Sequence, residues 1–231
     1  MWTKVLKQVA TLAFGAAVVS GPAHAALTSY NSLAGFQGAI QNAGLDDFNS
    51  LQAFNGSLTS PQLRTAGSYS YEASSTGGLY SVGPSNADRW LSVLNVTDTL
   101  TFNAFPTGVS AIGGFFGATD FDGFFATGDV IVVVEDDLGS AQSFTHSPAN
   151  GLLFIGFISS GNIVSLSITA ANPPGTDSRF ATANDLFLAQ ACVPGQTCRD
   201  TQPVPEPASF ALAGLALLGM AATRRRLNRA A

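Results

Sequence analysis

Between residues 26 and 207 the sequence contains no lysine. Its only basic residues there are Arg64, Arg89, Arg179 and Arg199, while Lys4, Lys7, Arg224, Arg225, Arg226 and Arg229 lie outside that stretch. All fifteen acidic residues fall between Asp46 and Glu206, so four arginines against fifteen acids give the stretch a formal charge of −11. Such a surface repels nucleic-acid phosphates and anionic lipid headgroups, which argues against both as partners. Histidine is nearly as scarce, with only His24 and His146. A zinc cluster built on histidines is therefore excluded, and a Ser-His-Asp triad would have to use His146. No Gly-x-Ser-x-Gly elbow presents a nucleophile to it.

Cysteine is limited to Cys192 and Cys198. They are too widely spaced for a Cys-x-x-Cys redox pair and lack the further ligands of a metal site. The segment Cys-Val-Pro-Gly-Gln-Thr-Cys reads instead as a small disulfide loop, with Pro194-Gly195 supplying its turn. The Gly77-Gly78 and Gly113-Gly114 pairs lack the lysine and following helix of a phosphate loop. Glu72 and Glu135 are the only glutamates between residues 26 and 190. They are the pair that a glycan-active hydrolase would need.

Both ends of the chain carry address signals. Lys4 and Lys7 precede an apolar run from Val9 to Val19, and Gly21-Pro22 leads into Ala23-His24-Ala25. This is the pattern of a signal peptide over 1–25, cleaved after Ala25, and it implies export to a compartment where disulfides persist. At the other end, Val204-Pro205-Glu206-Pro207 is followed by Ala208 to Thr223, which contains no charged residue, and then by Arg224-Arg225-Arg226. As a helix, 208–223 would reach roughly 24 Å against a hydrocarbon core of about 30 Å, enough for a marginal span helped by snorkelling arginines. The arginines would hold the terminus in the cytoplasm, leaving the rest on the far side of the membrane.

This order of Pro-Glu-Pro, short hydrophobic helix and basic cluster resembles the PEP-CTERM sorting signal of Gram-negative, exopolysaccharide-producing bacteria. The resemblance implies that Pro205, Glu206, Pro207, Arg224, Arg225 and Arg226 form a motif recognised by an exosortase, a membrane-embedded cysteine transpeptidase. It further implies transient anchoring in the inner membrane, followed by delivery to the cell surface or the extracellular matrix.

Between the signals, one helix is expected over Ser29–Asn42, where Leu33, Phe36 and Ile40 share a face and Ser29 or Asn31 caps the start. Beyond Asp46 the pattern is that of strands: Tyr69 and Tyr71 alternate with polar residues, and Leu100, Phe102 and Ala104 share a face. Val130–Val134 is uniformly β-branched and reads as a central strand, with Asp136-Asp137-Leu138-Gly139 turning into Ala141–His146. Gly113-Gly114 marks a bulge or a close backbone approach. The expectation is an all-β, jelly-roll-like β-sandwich over 26–190 with one short N-terminal helix. A tether over 191–204 and the sorting signal over 205–231, with its hydrophobic helix, complete the chain.

Two surface sites suggest themselves. Asp120-Phe121-Asp122-Gly123 places carboxylates two apart before a glycine, as at the start of many calcium loops, so Asp120 and Asp122 are candidate Ca2+ ligands. Asp129 and Glu135-Asp136-Asp137 could add to them, or Asp46 or Asp47 could meet Asp185 as first and last strands come together. The alternative is that these acids serve turns and solubility. Tyr71 and Trp90 are candidate platforms for a sugar ring. The leading functional expectation is an exported, non-catalytic surface or exopolysaccharide-matrix (biofilm) protein with a structural or adhesive role. A carbohydrate-binding module, stabilised by calcium, and a glycan-active hydrolase are the alternatives.

Overall fold

The computed structural model describes residues 27–52, 54–85, 87–147, 151–175, 177–192 and 198. The signal peptide expected over 1–25, most of the tether and the sorting signal over 205–231 lie outside the described residues. Among the described residues no helix is long and apolar enough to cross a membrane.

Two antiparallel sheets make up the domain. The smaller has six strands in the order β12-β11-β14-β8-β5-β4. These are β4 (Gln62–Ala66), β5 (Tyr69–Ser74), β8 (Thr99–Asn103), β11 (Val130–Asp136), β12 (Ala141–His146) and β14 (Ile163–Ala170). The larger has nine, in the order β1-β13-β9-β15-β7-β6-β3, with β10 added on β9 and β2 on β15. Its strands are β1 (Leu27–Tyr30), β2 (Ile40–Asp46), β3 (Gly56–Leu58), β6 (Leu79–Ser85), β7 (Asp88–Val93), β9 (Ala111–Thr119), β10 (Phe125–Ala126), β13 (Leu153–Ser159) and β15 (Phe180–Ala191).

Alternation does what a period of two requires. Tyr69, Tyr71 and Ala73 of β5, Leu100 and Phe102 of β8, and Val130, Val132 and Val134 of β11 all point inward from the smaller sheet. They meet Leu91, Ile112, Phe116, Ile155, Phe157, Ala183 and Leu188 of the larger one in a single core, the layered arrangement of a β-sandwich. β9 lacks alternation and is buried nearly throughout, because both of its faces are covered. One face meets the core. The other carries a second, smaller cluster of Phe36, Ile40, Ala111, Phe154, Phe187 and Ala189.

That second cluster is built by the helix α1 (Leu33–Gln37). It is shorter than the expected 29–42, and Ser32, not Ser29 or Asn31, caps it, its Oγ accepting the Gly35 N–H at 3.3 Å. Two causes act together. Gly35 and Gly38 weaken the helical stretch, and both flanks find ladder partners, Leu27–Tyr30 on β13 and Ile40–Asp46 on β15. Phe36 and Ile40 still meet in one cluster, although Ile40 arrives there on a strand. Phe36 lies on a floor of two paired glycines: a Cβ on Gly156 would come 2.5 Å from its ring, and one on Gly113 3.2 Å. The close approach expected at Gly113-Gly114 is thus a ring on a backbone, and the bulge lies opposite, in β15 between Asn184 and Phe187.

Two further expectations change. Ala104 does not follow Leu100 and Phe102 inward; β8 ends at Asn103 and Ala104 turns away with φ +55°. The last strand, β15, runs for twelve residues, with Asp185–Leu188 in its middle. β15 pairs with β9 along one side, while its other side is shared by β7 and β2. Asp185, with φ +51°, stands where that sharing changes over.

Candidate functional site

The sequence singles out carboxylates, and the fold spends most of them on its own construction. Asp46, at the end of β2, receives Arg64 of β4 through two bonds of 2.7 Å and the Tyr71 hydroxyl of β5 at 2.6 Å. The two sheets are thereby pinned together by a two-pronged charged pair with a third donor. The Arg64 guanidinium also lies 5.1 Å from the centre of the Phe48 ring. Burial alone would lower the Arg64 pKa, but the hydrogen bond and charge of Asp46 more than offset it. Burial, and then the Asp46 charge, push the Tyr71 phenol far above its ordinary range, so it stays a donor. Tyr71 is 1 % exposed and cannot serve as a sugar platform; on an alternating strand its parity sends it inward.

Asp120 closes a turn: its Oδ1 accepts from the N–H groups of Asp122 and Phe124, at 3.0 and 2.9 Å. Asp136 does the same for Leu138 and Ser140 and takes the Ser159 hydroxyl on its other oxygen. Asp137 accepts the backbone and side-chain N–H groups of Asn162, which lower its pKa. The first-and-last-strand meeting does occur, at Asp185, whose carboxyl pKa is raised by burial and by the nearby charges of Asp47 and Asp88. Asp46 is engaged by Arg64 instead. Among the described residues no group of three or more acidic, histidine or cysteine side chains is arranged to hold a metal ion.

Glu72 and Glu135 share the solvent face of the smaller sheet. Glu135 is level with Ser165, Ser165 with Asn103, and Asn103 with Glu72. Three strand spacings therefore separate them, about 14 Å between backbones. Paired glycosidase carboxyls stand roughly 5–9.5 Å apart. His146, the histidine a triad would need, is buried on the inner face of β12. Cys192 and Cys198 are disulfide-bonded, with Cα atoms 5.5 Å apart.

Sequence reasoning missed two aromatics. Phe121 is 85 % and Phe124 65 % exposed, at the tip of the hairpin joining β9 to β10. Nothing in Phe121-Asp122-Gly123-Phe124-Phe125 tells from sequence which rings the turn throws outward. Beside them is a groove of about 200 Å³ on the outer face of the larger sheet, lined by Tyr80, Val82, Leu94, Phe121 and Phe180 with Asp120 at its margin. Trp90 is half-buried and donates from Nε1 to Asp88 at 3.1 Å.

Comparison with curated proteins and with solved structures returns no match for the chain. A family comparison does match, as PEP-CTERM protein-sorting motif, over residues 203–226. Those residues include the Pro-Glu-Pro, the uncharged run and the three arginines read from the sequence. This is a protein bearing a PEP-CTERM sorting signal, which marks it for export and exosortase processing.

Proposed function

We propose that the chain is a non-catalytic component of the cell surface or of the exopolysaccharide (biofilm) matrix, with a structural or adhesive role. It is anchored briefly in the inner membrane through 208–223 and then released by the exosortase. The observation that carries this reading is the sorting motif at 203–226. The domain, read as a jelly-roll-like sandwich, supports it through the use of its acids. Asp46, Asp120, Asp136 and Asp137 hold turns and the sheet-to-sheet joint, and Glu72 and Glu135 are too widely spaced for paired carboxylate hydrolysis. Asp120 closes its own turn through Oδ1, and calcium stabilisation belongs to the carbohydrate-binding reading that follows.

A carbohydrate-binding module is the second reading, favoured by the exposed rings of Phe121 and Phe124 beside the groove. Flat rings offer large contact area at little entropic cost. Affinity electrophoresis of the intact chain through neutral and anionic polysaccharide gels separates the two. Retardation abolished in the Phe121→Ser/Phe124→Ser variant assigns glycan binding to the hairpin. Retardation equal in both proteins, or absent from both, leaves the structural role without a hairpin site. Turnover of a matrix polysaccharide that disappears with Glu135→Gln would overturn the non-catalytic reading.

A further inference from the structure

Open strand edges invite pairing with other chains, and most of the edges here are defended. β1, β3 and β10 are only four, three and two residues long. β2 has a register shift against β15 and backs onto β4, where a Cβ on Gly44 would come 2.0 Å from the Ala66 carbonyl oxygen. β4 carries the inward-pointing charge of Arg64. Short strands, irregularities and inward charges are the devices that block edge-to-edge association. β12 has none of them. It runs for six residues in unbroken register with β11, from Val130 opposite His146 to Glu135 opposite Ala141. Ala141–His146 contains no proline, lysine, arginine or acid.

The hairpin fixes which backbone groups of β12 face outward. It closes with the Asp136 N–H donating to the Ser140 carbonyl at 3.0 Å. Backbone groups alternate in direction along an antiparallel strand. Those of Gln142, Phe144 and His146 therefore face β11, and those of Ala141, Ser143 and Thr145 face the open edge. The side chains of Gln142, Phe144 and His146 lie on the inner face. Two of them hold buried polar atoms that find no hydrogen-bond partner among the described residues, Gln142 Oε1 and His146 Nε2. His146 is 9 % exposed, and its burial lowers its pKa, so its ring is neutral. A neutral ring carries one N–H, and on Nε2 that proton makes a donor.

An acceptor and a donor four residues apart lie about 13 Å apart along one strand and cannot meet within it. Across a two-fold axis they can. The geometry points to a dimer in which β12 pairs antiparallel with β12 of a second copy, about an axis through Phe144, each Gln142 facing His146 of the other copy. In this register Ser143 stands opposite Thr145 of the second copy, and their outward N–H and C=O groups exchange bonds in both directions. Gln142 and His146 fall in a non-hydrogen-bonded pair, where opposing side chains are closest. The neighbouring two-fold, through Ser143, places Gln142 opposite Phe144 and leaves both polar atoms orphaned. The dimer doubles the six-stranded sheet and is isologous, so it closes after two copies.

Sedimentation equilibrium of the intact chain in mild detergent tests the proposal, with Ser143→Pro as the first variant. The N–H that proline removes faces the open edge, where proline is tolerated in a monomer. The expected result is a monomer–dimer equilibrium weakened about tenfold or more in Ser143→Pro, with circular dichroism and melting unchanged. Gln142→Leu and His146→Leu should each weaken the dimer, and together restore much of it, because an apolar pair then replaces a half-satisfied one. A chain that stays monomeric, or a dimer indifferent to Ser143→Pro, overturns the pairing. Effects at positions 142 and 146 that simply add overturn the register.

Discussion

Asp46 and Asp185 stand on adjoining strands, Asp46 level with Leu186, and their surroundings differ in sign. Asp46 meets a buried cation and a phenol. Asp185 meets burial and the charges of Asp47 and Asp88. Removing Arg64 leaves the Asp46 side chain 5 % exposed and without its cation. Arg64→Leu should therefore destabilise the domain by about 3–5 kcal/mol, read as a shift in the denaturant midpoint. Arg64→Lys should recover only part of that, since an ammonium cannot make the two-pronged contact. Asp185 works the other way. Its folded pKa is raised, so the folded state holds the proton more tightly than the unfolded chain does. Its ionisation costs stability in full above the folded pKa, and the cost fades as pH falls through it toward the ordinary carboxylate range. Asp185→Asn should raise the midpoint near pH 7, with a gain that shrinks near pH 4, and asparagine tolerates the positive φ. A gain that grows on acidification would contradict the assigned surroundings.

At the scale of elements, what the sequence discloses depends on how local the cause is. β5, β8 and β11 were legible because alternation is a property of neighbours: Tyr69-x-Tyr71, Leu100-x-Phe102 and Val130-x-Val132-x-Val134 declare their buried faces directly. The hairpin into β12 was legible from its turn residues. The N-terminal segment was not. Leu33, Phe36 and Ile40 have helical spacing, yet the strands that claim Leu27–Tyr30 and Ile40–Asp46 are β13 and β15, more than a hundred residues away. No local pattern carries that information. Val130–Val134, read as central, lies one strand in from the edge, because sheet order is likewise non-local. α1 itself depends on its glycine floor. Gly156→Ala would drive a methyl to 2.5 Å from the Phe36 ring, and the ring or the short helix must move. We expect a loss of about 1–3 kcal/mol, with hydrogen exchange accelerated over residues 33–37 before it changes in β11. A variant as stable as the parent would mean that Phe36 does not rest on that floor.

At the scale of the whole molecule, the destination of the chain was more legible than the use of its domain. A sorting signal is read by its receptor as a linear string, so Pro205-Glu206-Pro207, the uncharged run and Arg224-Arg225-Arg226 carry their meaning in order alone, and the family match covers the same residues. Surface sites are different. Asp120 was conspicuous as a possible ligand and also closes a turn, Tyr71 was conspicuous as a platform but lies in the core, and Phe121 and Phe124 were inconspicuous but stand in solvent. Which rings face water is decided by the hairpin and the sheet together. The undefended edge of β12 likewise emerged only once the other edges were known. The formal charge of −11 between residues 26 and 207 favours solvation of that stretch.

The account rests on removal of the C-terminal signal during export, and intact-mass spectrometry of protein recovered outside the cell tests this most directly. The predicted result is a chain that has lost the arginine cluster and Ala231, with the Pro205–Pro207 deletion retained, uncleaved, in the inner membrane. Extracellular protein that still carries Ala231 would contradict it.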